Sequence, residues 1–132
     1  MAALSFAEAY MEGRNAGDHG KAGWKIALLK NWRLSAYHVW IFGVMLPLFL
    51  ALPLVVGGWD SRLFGLLLSS YLMGLVLEDF LWFVVNPVVS FKEWNSTFVD
   101  YYPWFHLGRF EFPVLYPIGM AASVLVWFLF CR

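Results

Sequence analysis

The sequence predicts an all-α integral membrane protein. It has three transmembrane helices, an amphipathic interfacial helix ahead of the first, and an aromatic interfacial connector between the second and third. Three observations carry this expectation. No charged residue occurs between Arg33 and Asp60. The 132 residues are 61% hydrophobic and only 14% charged, whereas a soluble domain of this length must cover a core with a charged exterior. Aromatic residues make up 20% of the chain, including eight Trp, which suits two membrane–water interfaces. The mean hydropathy of +0.66 agrees.

Composition also excludes several function classes. Nine basic residues balance nine acidic ones, so no basic surface remains for nucleic acid. The single cysteine, Cys131, rules out an internal disulfide and any multi-cysteine metal site. The opening MAALSFAEAYMEG carries acids where a secretory leader needs a basic region, so insertion is expected to use the internal spans. No phosphate-binding glycine loop, Gly-x-Ser-x-Gly elbow or His-Glu-x-x-His pair is present. No catalytic residue is assigned, and the sequence leaves open whether the chain is an enzyme.

One membrane domain is expected over residues 1–132. Residues 1–34 form a cytoplasmic arm and interfacial helix. Within the arm, Ser5 to Glu8 matches a capping box for a short helix from Phe6 to Glu12, stopped by Gly13, and residues 17–20 read as a turn. From Lys21 to Leu34, Trp24, Leu28 and Trp32 recur every four residues, with Lys25, Lys30 and Arg33 largely off that stripe. This predicts a basic helix lying among lipid headgroups.

The first span is expected over 35–56. Pro47 and Pro53 fall inside it and free the carbonyls four residues back, at Gly43 and Phe49. Those carbonyls need a donor or protein cover. Asp60 or Ser61 is placed to cap the second span, 62–86. There Gly65 with Ser69, and Ser70 with Gly74, have the small-xxx-small spacing that lets helices approach. The connector, 88–111, is expected to lie in the interface, anchored by rings such as Trp94 and Trp104. The third span is expected over 112–130, where Gly119 and Ser123 form another small pair. Seven basic residues flank one side of the spans and two the other, predicting a cytoplasmic N-terminus and a C-terminus opposite.

The chemistry centres on Glu78 and Asp79, adjacent acids inside the second span and followed by Asn86-Pro87. Intramembrane carboxylates are costly unless paired, protonated or wet. Adjacent helical residues point about 100° apart, so the two acids face different neighbours. Topology brings His38, His106, Arg109 and Glu111 to the same membrane face, with Tyr71 and Asn86 as supporting polar groups.

Three readings follow. In the first, the acids fix the connector or meet a partner, making this an accessory or assembly subunit within a homo-oligomer or larger membrane complex. In the second, Glu78, Asp79, His106 and His38 form a proton relay or hold a divalent metal, since carboxylate and imidazole suit zinc, iron, copper or manganese. In the third, the aromatic connector and kinked first helix line a groove for a lipid or quinone, whose polar head is fixed by Tyr102 or His106.

Overall fold

The computed structural model of the chain describes residues 1–15, 23–29 and 32–132. The fold is mostly helical, and two of its helices are long and apolar enough to cross a membrane. Helix α1 covers Ala2–Glu12, and two strands follow, β1 (Lys25–Leu29) and β2 (Trp32–Ser35). Helix α2 (Ala36–Gly57) has 22 residues and α3 (Ser61–Val85) has 25. At 1.5 Å per residue they measure about 33 and 38 Å, against about 30 Å of hydrocarbon. After strands β3 (Trp104–Leu107) and β4 (Phe110–Pro113) comes α4 (Leu115–Cys131), apolar but only 17 residues long.

The α3–α4 hairpin is the principal packing unit. It starts cleanly because Gly58 takes a positive φ of 88° and the Asp60 carboxylate accepts from the Leu63 amide at 2.9 Å. Midway, Ser69 and Ser123 are both buried and reciprocate: Ser69 Oγ donates to the Ser123 carbonyl at 2.9 Å, and Ser123 Oγ to the Ser69 carbonyl at 2.8 Å. Gly65 faces Phe130, and Gly119 faces Val76. These are close-approach sites, where a side chain would hold the backbones apart. Two expected packing residues sit elsewhere. Ser70 is exposed, and Gly74 is covered by the Met1 side chain rather than by α4.

Helix α1 therefore does not stand free as an arm. It lies along the second half of α3, from Met1 at Gly74 to Gly13 at Asn86, whose side-chain amide donates to the Gly13 carbonyl at 2.8 Å. The expected capping box is absent because the helix starts four residues earlier. Ser5 is already inside it, and Glu8 is turned into the protein. Gly13 ends the helix at a φ of 58°, as expected of a C-terminal glycine.

The expected basic interfacial helix is corrected to an antiparallel hairpin in which Ile26 faces Leu34 and Lys25 faces Ser35. The same residues also alternate in twos: Ile26, Leu28, Trp32 and Leu34 are apolar, while Lys25, Ala27, Arg33 and Ser35 intervene. That strand period overrides the four-residue stripe. Gly23, at a φ of 119°, breaks any helix running through it. Lys30, Lys21 and the turn expected at 17–20 lie outside the described residues.

Helix α2 contains a π-helical stretch, Val39–Met45, immediately before Pro47. Its hydrogen bonds run five residues back instead of four. The acceptor stranded by the missing proline N–H is therefore the Phe42 carbonyl, not that of Gly43. Tyr71 on α3 donates its hydroxyl to that oxygen. The orphan foreseen from sequence is real, displaced by one residue, and satisfied across the helix pair.

Beyond α3 the connector folds into a compact cap. The buried Asn86 side chain accepts from the Val88 and Val89 amides, both at 2.9 Å, and turns the chain. A single 3₁₀ turn, Phe91–Glu93, is capped reciprocally by Ser90 and Glu93. Strands β3 and β4 pair Trp104 with Pro113 and Leu107 with Phe110, turning at Gly108 with a φ of 62°. Phe112 and Pro113 thus end a strand, and the third helix starts at Leu115 rather than at 112. Ala9, Trp82, Phe83, Val89, Val99 and Tyr102 form the core beneath this cap. Trp94 packs against Phe91 and Trp104, and Trp104 Nε1 donates to the Val99 carbonyl at 2.8 Å. Both rings are half-buried against the core.

Arg14 ties α1 to the cap. It donates to the Val88 carbonyl at 2.9 Å and forms an ion pair with Glu93. Hydrogen bonding from Arg14 holds the Glu93 carboxyl below the usual range. A lowered folded value gives stabilisation that is present above the ordinary Glu pKa of about 4.3 and is lost as pH falls through the depressed value. Limited proteolysis near residues 13–15 should accelerate only below about pH 4. In Glu93→Gln it should already be fast at neutral pH, and an unchanged rate in that variant would refute the tie.

Candidate functional site: an acid-ended cleft between helices

Between α1, α2, α3 and the start of α4 lies a cavity of about 680 Å³, within the roughly 300–1,000 Å³ usual for small-molecule sites. Its long walls are apolar: Phe42 from α2, Leu72, Leu75 and Val76 from α3, and Ile118 from α4. One end is different. Glu8 and Glu12 come from α1, Glu78 and Asp79 from α3, and His38 from α2, with Tyr71, Tyr101, Tyr102 and Tyr116 around them. Among the described residues lining the cleft, four are acidic and one is a basic imidazole.

The two central acids play separate parts, as their 100° offset requires. Asp79 turns toward the cap and α4, where its Oδ2 accepts from the Tyr102 hydroxyl at 3.0 Å and the Tyr116 hydroxyl at 2.5 Å. Burial pushes the Tyr101 and Tyr102 phenols above their ordinary range, and the charge of Asp79 adds to the effect. Both stay protonated and able to donate at neutral pH. Glu78 turns toward α1 and is 6% exposed. It lies within side-chain hydrogen-bonding reach of Glu8, itself buried and accepting from the Tyr37 hydroxyl. Two carboxyls bond only while one of them carries a proton.

Two buried polar atoms in this wall are unspent. Glu78 Oε1 and Trp82 Nε1 have no hydrogen-bond partner among the described residues. They belong to residues one helical turn apart, and both residues line the cleft. One is an acceptor or acid and the other an obligate donor. A buried polar atom left unpaired costs about 1–3 kcal/mol, so such atoms call for an explanation.

The remaining expected site residues divide. His38 joins the cleft, its Nδ1 2.8 Å from Ser35 Oγ and its ring stacked on Phe42. Tyr71 lines the cleft while bridging to α2. Asn86 shapes the turn after α3 and holds α1. His106 is corrected: it sits on exposed β3 and faces Glu111 on β4, Nδ1 to Oε2 at 3.5 Å. Arg109 and Glu111 border a wide surface hollow near Lys92 and Glu93, away from Glu78 and Asp79. Among the described residues no three His, Cys, Asp or Glu side chains come together to hold a metal ion, so the expected Glu78/Asp79/His106/His38 set is not assembled. Of the expected lipid-facing residues, Trp24 is half exposed and Lys25 is exposed on β1, while Trp32 and Arg33 lie on β2.

Sequence reasoning missed Glu8, Glu12, Arg14 and Trp82. Ser5, Glu8, Ala9 and Glu12 recur every three or four residues and form one face of α1, but a polar stripe reads as the solvent side of a helix. No family model, curated protein or solved structure matches the chain, so its function is read from the geometry of the cleft alone.

Proposed function

We propose that this chain is a small integral membrane protein that binds a single-chain amphiphile from the bilayer. The tail lies along the apolar walls of the cleft, and the polar head meets the Glu8/Glu78 end. In this reading α2, α3 and α4 all span, and α1 dips beside α3 from the same side as the cap. The excess of basic residues in the arm and connector supports a cytoplasmic position for that side.

The observation that carries the reading is an apolar cleft between the helices that ends in buried acids. Helix α1 supports it independently. Its polar Ser5 and Glu8 are buried, while Phe6, Tyr10 and Met11 are 49%, 70% and 74% exposed. Such a helix is inside out for water and correctly oriented for lipid. At 1.5 Å per residue, Glu78 lies about 10 Å from the end of α3, at the depth where a headgroup can meet it. An assembly role draws less support, because the small residues suited to a partner helix are largely occupied within the chain: Gly65 by Phe130, Ser69 by Ser123 and Gly119 by Val76.

The test is equilibrium binding of hexadecylamine, hexadecanol and hexadecanoate to the purified chain in nanodiscs. At least one should bind saturably, and Leu75→Trp, which fills the cleft wall, should weaken that binding by about tenfold or more. Non-saturable partitioning of all three, unaffected by Leu75→Trp, would sink the proposal.

A further inference from the structure

We infer that the cleft selects an amphiphile with an ammonium head and a neighbouring oxygen, that is, a long-chain amine or amino alcohol. This deepens the amphiphile-binding reading and rests on it. The argument begins with the two unspent atoms in the wall. Glu78 Oε1 lacks a donor and Trp82 Nε1 lacks an acceptor among the described residues, and their residues are 6% and 4% exposed. A ligand that pairs both must offer a donor and an acceptor close together, within reach of two side chains one helical turn apart.

Charge narrows the choice. A carboxylate or phosphate head would bring an acceptor to Glu78 Oε1, itself an acceptor, beside the Asp79 carboxyl, and like charges at low dielectric repel strongly. A plain alcohol could donate to Glu78 Oε1 and accept from Trp82 Nε1, but it brings no countercharge. An ammonium supplies three N–H donors and a positive charge to the carboxyls. A hydroxyl on the adjacent carbon supplies the acceptor for Trp82 Nε1. Asp79 is already engaged by Tyr102 and Tyr116, which leaves Glu78 as the contact for the head.

The experiment compares chains of equal carbon number on the protein in nanodiscs: hexadecylamine, hexadecanol, hexadecanoate and the hexadecyl form of the amino diol sphinganine. Sphinganine and hexadecylamine should bind at least about tenfold more tightly than hexadecanol, with hexadecanoate weakest. Glu78→Gln, nearly isosteric, should remove that advantage while changing hexadecanol binding less than about twofold. Trp82→Phe should narrow the gap between sphinganine and hexadecylamine and leave hexadecylamine unchanged. Glu8→Gln provides a second variant should Glu78→Gln misfold, and it should also reduce amine preference. Equal binding of amine, alcohol and acid, all blocked by Leu75→Trp, would overturn the headgroup inference and leave the amphiphile cleft standing. Saturable binding of none of the four would overturn both.

Discussion

Asp79→Ala is expected to destabilise the protein by about 2–5 kcal/mol, the largest effect of any single polar substitution among the described residues. The carboxylate accepts from two phenols at one oxygen, joining α3 to the cap through Tyr102 and to α4 through Tyr116. Removing it strands the buried Tyr102 hydroxyl and the half-buried Tyr116 hydroxyl and leaves a hole beneath the cap. The loss should be unequal across substitutions. In Asp79→Asn the amide oxygen still has two lone pairs for the two hydroxyls, so the cost should fall to about 1–2 kcal/mol, the difference between charged and neutral hydrogen bonds. Adding Tyr102→Phe and Tyr116→Phe to Asp79→Ala should recover part of the loss, because the stranded donors are then gone. Denaturant unfolding in detergent, followed by helical circular dichroism, measures all of these. Wild-type stability in Asp79→Ala would refute the arrangement.

Gly65→Leu should cost about 2–3 kcal/mol through overpacking. A Cβ at position 65 would overlap Phe130 Cβ and crowd Cys131 Sγ. Phe130 Cβ is fixed to its backbone and cannot swing aside, so α3 and α4 must separate, which also stretches the Ser69–Ser123 exchange one turn away. Gly74 is the internal control. Its Cβ would meet the Met1 side chain, a flexible thioether that can move. Gly74→Ala should therefore cost less than about 1 kcal/mol. The same unfolding measurement decides, and equal costs at the two glycines would contradict the close approach at Gly65.

Much of this was legible in the residues, and the failures have identifiable causes. Long apolar runs, the Asp60 cap, the Gly13 stop and the small-residue seam are local signals, each with one dominant physical reading. The opposed directions of Glu78 and Asp79 followed from helix geometry alone. Three features depended on information that is not local. The 25–35 hairpin carried both a period of two and a period near four, and only the pairing of its two strands selects between them. Glu8 looked like a capping residue because nothing in its neighbourhood announces a second acid more than sixty positions away. His106 was placed near the acids by membrane side, a criterion that fixes depth and leaves lateral position open. Residues that share a leaflet need not share a site.

The π-helical stretch in α2 has a consequence for how the cleft tolerates insertions and deletions. A π turn holds one residue more than an α turn. Deleting one residue from Val39–Met45 would remove that extra residue and return the stretch to α spacing, with His38 and Leu46–Gly57 left in nearly their present relative orientation. The acceptor stranded by the proline would then fall four residues before it again. The same deletion within the regular part of α3 that lines the cleft would rotate one end of that wall by about 100° relative to the other. The wall of α2 is therefore the one that can lose a residue and keep its face.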